Sequence, residues 1–235
     1  MSTYSKDEII KKLEVAKSEM WKFYSQDFVN YRGKTSDKER YYYTEIIAKW
    51  LLDNIELFND IKMISRENSY KVDSHDGKIK NEKSEREEEI IAMKLFDFSQ
   101  NQGKVFDIIG KIIDYQTPLK DIQTDKAGKI DLLAYNENEK TLRILELKKP
   151  DSKETMLRCV LEAYTYLKIV DKVKLLKDFG LPENIEIKAC PFVFYGKEQY
   201  KEIQKNKENL GQLIGKLGIE IIYLEEKDGE YSIVK

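Results

Sequence analysis

Three charged residues interrupt two apolar, strand-like segments in the middle of the chain. Asp131 lies in the segment 128–135, and Glu146 and Lys148 lie in the segment 142–149. Both segments have the composition of half-buried or buried β-strands. Unpaired charge is costly in such strands, because a buried ion loses its hydration. The pattern therefore indicates that these side chains serve a function.

The residue types at these three positions are suited to metal chemistry on a phosphodiester. Two carboxylates on adjacent strands supply the hard oxygen ligands that Mg²⁺ prefers, while leaving room for water and phosphate oxygens. Lys148 follows Glu146 by two positions, so the alternation of a strand directs both side chains to one face. A cation held there can orient or deprotonate the attacking water, or neutralise charge on the phosphate. The spacing thus predicts phosphodiester hydrolysis that depends on Mg²⁺ or Mn²⁺.

The spacing from Glu146 to Lys148 is informative only in its context. An acid followed two residues later by lysine occurs at several other places in this highly charged chain. Only the pair at 146 follows another strand with an embedded acid at hairpin distance, through the polar connection 136–140. The pair Glu186 and Lys188 opens an apolar run but follows a helix-like stretch, so it is the weaker candidate. A purely structural cross-strand ion pair at a sheet edge is the alternative.

On these residues, the segment 84–196 resembles the PD-(D/E)XK, or restriction-endonuclease-like, nuclease superfamily. Asp131 corresponds to the first acid of that family's motif, and Glu146 and Lys148 correspond to its (D/E)XK. Ile130 precedes Asp131 where the motif has proline. The resemblance implies an α/β fold with a restriction-endonuclease-like αβββαβ core, and cleavage of nucleic acid, with DNA favoured. The alternative is a catalytically inactive member of the fold that binds nucleic acid or a protein partner.

The resemblance extends to one helix on each side of the paired strands. Downstream, Glu162 and Tyr166 resemble the QxxxY helper motif of exonuclease-type members, with glutamate in place of glutamine. Glu162 would then bind metal or pair with Arg158, and Tyr166 is either a catalytic or a packing residue. Upstream, Glu88 shares a helix face with apolar residues and is favoured over Glu89 as a further metal ligand. Acids in a first helical turn also favour the helix dipole, which is the structural alternative for both glutamates.

Three basic residues near the (D/E)XK segment are candidates for contacts with nucleic-acid phosphates. They are Lys149, Lys153 and Arg158. The alternative for each is a solvated surface position. The whole chain has 41 basic and 43 acidic residues, a formal charge of −2, so it lacks a global basic field. This balance counts against a high-affinity DNA binder without excluding a nuclease.

The composition argues against several other functional classes. His75 is the only histidine and lies in a polar turn without a nucleophile motif, which argues against Ser-His and Cys-His catalysis. Cys159 and Cys190 lack metal-binding spacing and are expected to be buried thiols of a reducing compartment. No apolar run approaches the roughly 18 residues of a membrane span. We therefore expect a cytoplasmic protein without a membrane partner, and the sequence leaves a homodimer open.

The elements that position these residues follow from periodicity and turn signals. An N-terminal helical region, 1–83, is predicted to contain two helices, the second beginning with a capping box at 36–39, and a small hairpin or irregular linker. The nuclease-like core, 84–235, is predicted to begin with a helix capped by Ser84 and to form a mixed sheet with helices on both faces. The predicted bounds are 7–28, 36–55, 85–98, 153–170 and 200–217 for the helices, and 111–119, 187–195, 219–224 and 231–234 for the strands beyond the central pair.

Overall fold

The chain folds into an α/β structure, seen in a computed structural model that describes residues 3–79, 86–121, 128–205 and 208–234. Within these ranges the α-helices are α1 (Lys6–Ala16), α2 (Tyr43–Asp53), α3 (Glu87–Gln100), α4 (Met156–Ile169), α5 (Lys172–Asp178), α6 (Glu198–Ile203) and α7 (Glu208–Leu217). The strands are β1 (Lys111–Pro118), β2 (Lys129–Asn136), β3 (Thr141–Leu147), β4 (Glu186–Phe194), β5 (Ile222–Lys227) and β6 (Glu230–Val234). Three 3₁₀ segments lie in the N-terminal region, at Lys17–Ser25, Asp27–Asn30 and Ile55–Asp60.

The six strands lie in the sheet in the order in which they occur along the chain. β1, β2 and β3 pair antiparallel, β3, β4 and β5 pair parallel, and β5 and β6 pair antiparallel. The short polar connection between β2 and β3 forms the predicted hairpin. The parallel pairing of β3 with β4 requires a crossover connection, which α4 and α5 provide. The sheet is therefore mixed and flanked by helices, as the sequence predicts.

Helices cover both faces of the sheet. One face, which includes Leu133 and Ile144, packs on α4 in a core shared with α1, α2 and α7. The opposite face, which includes Leu145, packs on α3. Because side chains alternate between the faces of a strand, Asp131 and Glu146 lie on the α4 face with Leu133 and Ile144. The sheet thereby directs both candidate acids toward α4.

Helix α4 is anchored at its beginning to the N-terminal region. Oγ1 of Thr155 accepts a hydrogen bond from the N–H of Arg158 and so caps the helix. The same hydroxyl donates to the carbonyl of Val29 at 2.8 Å. The cap therefore fixes the helix that covers the candidate site against the first thirty residues of the chain.

The first part of the N-terminal region is less regular than its periodicity predicts. α1 ends at Ala16, and the chain continues as a 3₁₀ segment with a non-helical residue at Glu19. In that segment the ring of Phe23 stacks on the ring of Trp50. Aromatic packing between distant residues thus overrides the local helical pattern, and the prediction of one helix over 7–28 is wrong.

The second helix begins later than predicted. α2 starts at Tyr43 and not at the capping box 36–39. In a capping box the N–H of Ser36 would donate to the side chain of Glu39. It donates instead to the carbonyl of Tyr4 at 3.0 Å, so the box is not closed and does not start a helix.

Some of the remaining predicted elements match the structure, and others do not. Residues 61–79 contain neither helix nor strand, so they form an irregular linker and not a hairpin. The predicted cap Ser84, and with it the boundary between the two predicted regions, lies outside the described residues. The predicted helix 200–217 is divided into α6 and α7. The predicted terminal hairpin is present as β5 and β6.

Two further expectations from the sequence concern the cysteines and membrane-spanning segments. Cys159 and Cys190 are free and buried, as predicted, and burial raises the pKa of both thiols. None of the helices in the described ranges is long and apolar enough to cross a membrane.

Candidate active site

Asp131, Glu146 and Lys148 come together on one face of the sheet, beneath α4. Leu132 of β2 pairs with Leu145 of β3, so Asp131 and Glu146 occupy the next positions along the same register. The N–H of Lys148 donates to the carbonyl of Phe192 on β4 at 3.0 Å, so the extended pairing continues past the end of β3. Glu146 is only 4 % exposed and Lys148 only 5 %. The three predicted residues therefore form one buried polar cluster.

Carboxylates surround the ammonium group of Lys148. Its Nζ donates to Oε1 of Glu146 at 2.7 Å and to Oε2 of Glu162 at 3.1 Å. Oε2 of Glu154 also lies 3.1 Å from Nζ, although it lacks hydrogen-bond geometry. Asp131 is a fourth acid in electrostatic contact with the same ammonium group. One buried cation is thus shared among four carboxyl groups.

Hydrogen bonds hold both oxygens of Asp131. Nε2 of Gln116 donates to Oδ1, and the N–H of Leu147 donates to Oδ2, each at 2.9 Å. Gln116 has a φ of 48° and is the only non-glycine residue with a positive φ inside a described strand. That conformation costs about 1–3 kcal/mol for a residue other than glycine. Sequence reasoning missed Gln116, because a glutamine in a β-strand carries no pattern signal.

The first turn of α3 brings one of its glutamates to the cluster. Oε1 of Glu88 accepts a hydrogen bond from the N–H of Lys149 at 3.0 Å, and its negative charge acts on Asp131. Glu89 instead pairs with Arg86 at 3.3 Å. Of the two candidates considered from the sequence, Glu88 is therefore the one on the side of the site.

Helix α4 contributes Glu162 and Tyr166. The hydroxyl of Tyr166 donates to Oε1 of Glu162 at 3.2 Å, while the other oxygen of Glu162 accepts from Lys148. Arg158 pairs with Glu154 at 3.0 Å, so the alternative that Glu162 pairs with Arg158 is wrong. Sequence reasoning also missed Glu154, because it belongs to no motif and only the fold brings it to Lys148.

Two other parts of the chain enclose Tyr166. Tyr24, from the first 3₁₀ segment, packs edge-on against Tyr166 with 6.0 Å between ring centroids. Gly128 lies against the hydroxyl, where a Cβ would be only 2.0 Å from Oη. A side chain at position 128 would therefore displace Tyr166. The N-terminal region and the start of β2 thus form part of the wall of the site.

The three basic residues predicted to contact phosphates surround the cluster. Lys149 lies 3.2 Å from Glu87 and 3.3 Å from Asp151. Arg158 is half-buried beside Glu154, and Lys153 is exposed. Lys149 and Arg158 are therefore balanced by acids, whereas the described residues include no ion-pair partner for Lys153.

The crowding of acids shifts the pKa values of the residues in the cluster. Burial is the main cause that raises the pKa of Asp131 to about 7; the charge of Lys148 opposes this shift, and those of Glu88 and Glu162 add to it. Burial and the charge of Asp131 also raise the pKa of Glu146 well above its usual range. Burial by itself lowers the pKa of Lys148, but the charges of Glu146 and Glu162 outweigh it and raise that pKa. Lys148 therefore stays protonated among a surplus of acids, of which only Glu154 has a second cation, Arg158, beside it.

The chemistry of the cluster fits a hard divalent cation. Its donors are carboxylate oxygens, and Oε2 of Glu146 is buried without a hydrogen-bond partner. Over the described parts of the chain, no three His, Cys, Asp or Glu side chains are already arranged as a metal site. The arrangement is thus a charged cluster held together by Lys148 and not a preformed metal centre. Comparison with protein-family models, with curated proteins and with solved structures finds no match.

Proposed function

We propose that this chain is a metal-dependent nuclease that hydrolyses phosphodiester bonds in nucleic acid, with DNA as the favoured substrate. The observation that carries the proposal is the surplus of buried carboxyl groups around the single ammonium group of Lys148. Asp131 and Glu146 have raised pKa values because their ionised forms are buried close to other acids. A bound Mg²⁺ or Mn²⁺ ion would offset that repulsion, whereas a purely structural ion pair requires no surplus of acids.

The order of the elements around the cluster supports the same proposal. α3, β1, β2, β3, α4 and β4 follow the αβββαβ order that the family resemblance implies, with α5 added before β4. Asp131 and Glu146 lie on the second and third strands of that order. We therefore propose that the sheet and its flanking helices form a restriction-endonuclease-like core.

In this proposal the acids of the two strands and of α3 bind the metal ion. Asp131 and Glu146 are its main ligands, and Glu88 completes the set. The bound ion would polarise a phosphate oxygen and lower the pKa of a coordinated water molecule. Lys148 stays protonated, because its pKa is raised, so it donates hydrogen bonds and stabilises negative charge on the phosphate. The raised pKa disfavours Lys148 as the base that deprotonates water.

The residues on α4 act through Lys148. Glu162 accepts a hydrogen bond from Nζ, and Tyr166 holds Glu162 from the other side. Both residues therefore fix the position of the ammonium group. The proposed phosphate contacts at the edge of the site are Lys149, Lys153 and Arg158.

The test is cleavage of nucleic acid by the purified protein. Supercoiled, linear and single-stranded DNA and RNA are incubated with Mg²⁺, Mn²⁺ or EDTA, beside the variants Asp131→Asn and Asp107→Asn. Asp107 is exposed, so its variant matches the change in charge without touching the cluster. We expect metal-dependent cleavage that Asp131→Asn abolishes and Asp107→Asn preserves. Equal activity of the two variants would overturn the assignment of the site.

A second candidate function is a binding module without catalysis. It is favoured by the hydrogen bonds from Lys148 to Glu146 and Glu162, which partly neutralise the cluster without a metal ion. The net charge of −2 agrees with a module that does not bind DNA tightly by itself. Calorimetric titration with Mg²⁺ and Mn²⁺ separates the candidates, since a binding module need not take up either ion.

A further inference from the structure

A cavity of about 320 Å³ lies beside the candidate active site. It is bounded by β1, the beginning of α3 and the linker residues 74–79. Small-molecule sites have volumes of roughly 300–1,000 Å³, so this cavity has room for one nucleotide but not for a duplex. It opens at the surface, because its lining includes the exposed residue Lys129.

A fixed histidine provides a polar contact in this cavity. Nδ1 of His75 lies 2.7 Å from Oδ1 of Asp114, and the hydroxyl of Thr117 donates to Oδ2 of Asp114, also at 2.7 Å. A carboxylate can only accept, so Nδ1 of His75 donates to Asp114, and Nε2 is the ring nitrogen left to contact a ligand. Asp114 is 2 % exposed and lies next to an irregularity in the pairing of β1 with β2. The fold thus buries an acid that orients the only histidine of the chain.

The same cavity has an aromatic and apolar wall. The ring of His75 stacks on Tyr115 with 4.3 Å between centroids, and Phe96 packs edge-on against Tyr115 at 5.0 Å. Ile90 and Met93 line the cavity from α3. Stacked rings and aliphatic side chains form the type of surface on which a nucleobase packs.

The rim of the cavity carries a small excess of positive charge. Arg86 pairs with Glu89 at 3.3 Å, and Lys78 lies 4.0 Å from Asp76. Lys129 adds a third cation to the lining, which contains no third acid among the described residues. A rim with three cations and two acids favours an anionic group such as a phosphate.

The cavity and the candidate active site share walls. Gln116 lines the cavity, and its side-chain amide donates to Asp131. Glu89 lines the cavity from the turn of α3 in which Glu88 contacts the backbone of Lys149 beside the site. A group bound in the cavity would therefore lie against Gln116, which holds the carboxylate that is proposed to bind metal.

We propose that this cavity binds one unpaired nucleotide of the substrate strand, next to the phosphodiester that the site cleaves. The base packs against the partly exposed side chains of His75, Ile90 and Met93 and meets Nε2 of His75. The phosphate lies at the rim near Lys129. This inference rests on the proposed nuclease function, and it limits the class of nucleic acid that the site can cleave. A strand must be single or locally unpaired at the site, because a stacked base pair does not fit the cavity.

The test follows the imidazole signal of His75 by NMR, which is unambiguous because the chain has one histidine. The intact protein in EDTA is titrated with a 5′-deoxynucleoside monophosphate, a short single-stranded oligodeoxynucleotide or inorganic phosphate. We expect the first two to shift the Hε1 resonance saturably and phosphate to leave it in place. An unmoved signal with both nucleotide ligands, or an equal shift with phosphate alone, would overturn the proposal.

Matched variants show whether binding takes place in the cavity. Lys129→Glu and Lys94→Glu change the net charge equally, but Lys94 is exposed on α3 and does not line the cavity. We expect Lys129→Glu to weaken oligonucleotide binding roughly tenfold and Lys94→Glu to have little effect. Met93→Trp should weaken binding to a similar degree by filling the cavity. Equal effects of the two lysine variants would reject the cavity as the binding site.

The same experiments separate this inference from the proposed function. The titrations contain no metal and therefore do not depend on cleavage. Saturable binding at His75 by a protein that cleaves no substrate supports the nucleotide site and rejects the nuclease. Cleavage by a protein whose His75 signal never moves rejects the nucleotide site and leaves the nuclease in place.

Discussion

Strand β3 carries one buried cation near its beginning and another just beyond its end, and the two are balanced differently. Near the beginning, Arg143 donates to Glu220 at 2.8 Å, to Glu139 at 2.6 Å and to the carbonyl of Ile108 at 2.8 Å. The side chains of Glu220 and Glu139 are 30 % and 48 % exposed, so water screens their charges. The guanidinium group is thus fully paired with acids that keep much of their hydration.

Just beyond the other end, Lys148 is paired with acids that have lost their hydration. The side chains of Glu146 and Glu162 are 5 % and 11 % exposed, and Asp131 adds a further buried acid. One oxygen of Glu146 lacks any hydrogen-bond partner. We infer from this comparison that a surplus of buried acids over cations, and not a buried ion pair alone, points to a functional site. Such a surplus is costly unless a ligand balances it.

The largest expected effect is the loss of cleavage when the positive charge of Lys148 is removed from among the buried acids. Lys148→Met keeps much of the side-chain volume but removes the charge that is proposed to stabilise the phosphate. We expect cleavage to fall about a hundred- to a thousandfold, as when one preorganised hydrogen-bond donor is removed from other active sites. Lys216→Met, at an exposed position of α7, is the control and should retain most activity. Comparable rates for the two variants would contradict the proposed role of Lys148.

A second effect is the dependence of stability on pH. The pKa of Asp131 is about 7 in the folded protein against an ordinary value of 3.8, so the folded state binds the proton more tightly. The free energy of unfolding therefore falls as pH rises from about 4 to 7, by up to roughly 4 kcal/mol at 1.36 kcal/mol for each pKa unit. Asp131→Asn should remove this contribution.

The measurement is urea unfolding of the wild type and Asp131→Asn across that pH range. The variant should gain stability relative to the wild type as pH rises, while Asp107→Asn should follow the wild type. If the unfolding free energies of all three proteins changed with pH in parallel, Asp131 would have an ordinary pKa in the folded protein.

A third effect should appear at the other cation of β3. Arg143→Met leaves Glu220 and Glu139 without their partner and the carbonyl of Ile108 unpaired. We expect a loss of about 3 kcal/mol of unfolding free energy, the lower end for a broken buried pair, because both acids are partly exposed. The rate of cleavage per folded molecule should not change. Chemical denaturation and activity assays at a temperature where the variant is folded check both expectations, and a selective loss of cleavage would place Arg143 in the active site.

The smallest effect is expected at the hydroxyl of Tyr166. Tyr166→Phe removes one hydrogen bond to Glu162 and should cost about 1 kcal/mol of stability. Cleavage should fall less than tenfold, because Lys148 keeps its direct contacts with Glu146 and Glu162. A much larger loss of the maximal rate, with unchanged substrate affinity, would make Tyr166 a catalytic residue and not a positioning one.

The sequence determined the parts of the site that depend on local periodicity. The two-residue spacing directs Glu146 and Lys148 to one face of β3, and the hairpin between β2 and β3 brings Asp131 beside them. The helical spacing of Glu162 and Tyr166 likewise predicts their contact on α4. Alternation, helical repeat and turn composition are properties of neighbouring residues, so they can be read from the chain.

Only the tertiary structure decided which distant groups complete these pairs. Glu154 and Gln116 reach the cluster through packing that no local pattern encodes, and the 36–39 capping box is left open by a contact of Ser36 with Tyr4. Asp114 likewise orients His75 across 39 positions. Such contacts depend on the relative placement of whole elements, which is set by burial of the shared apolar core. The sequence thus determines which side chains are available for chemistry, and packing determines which of them meet.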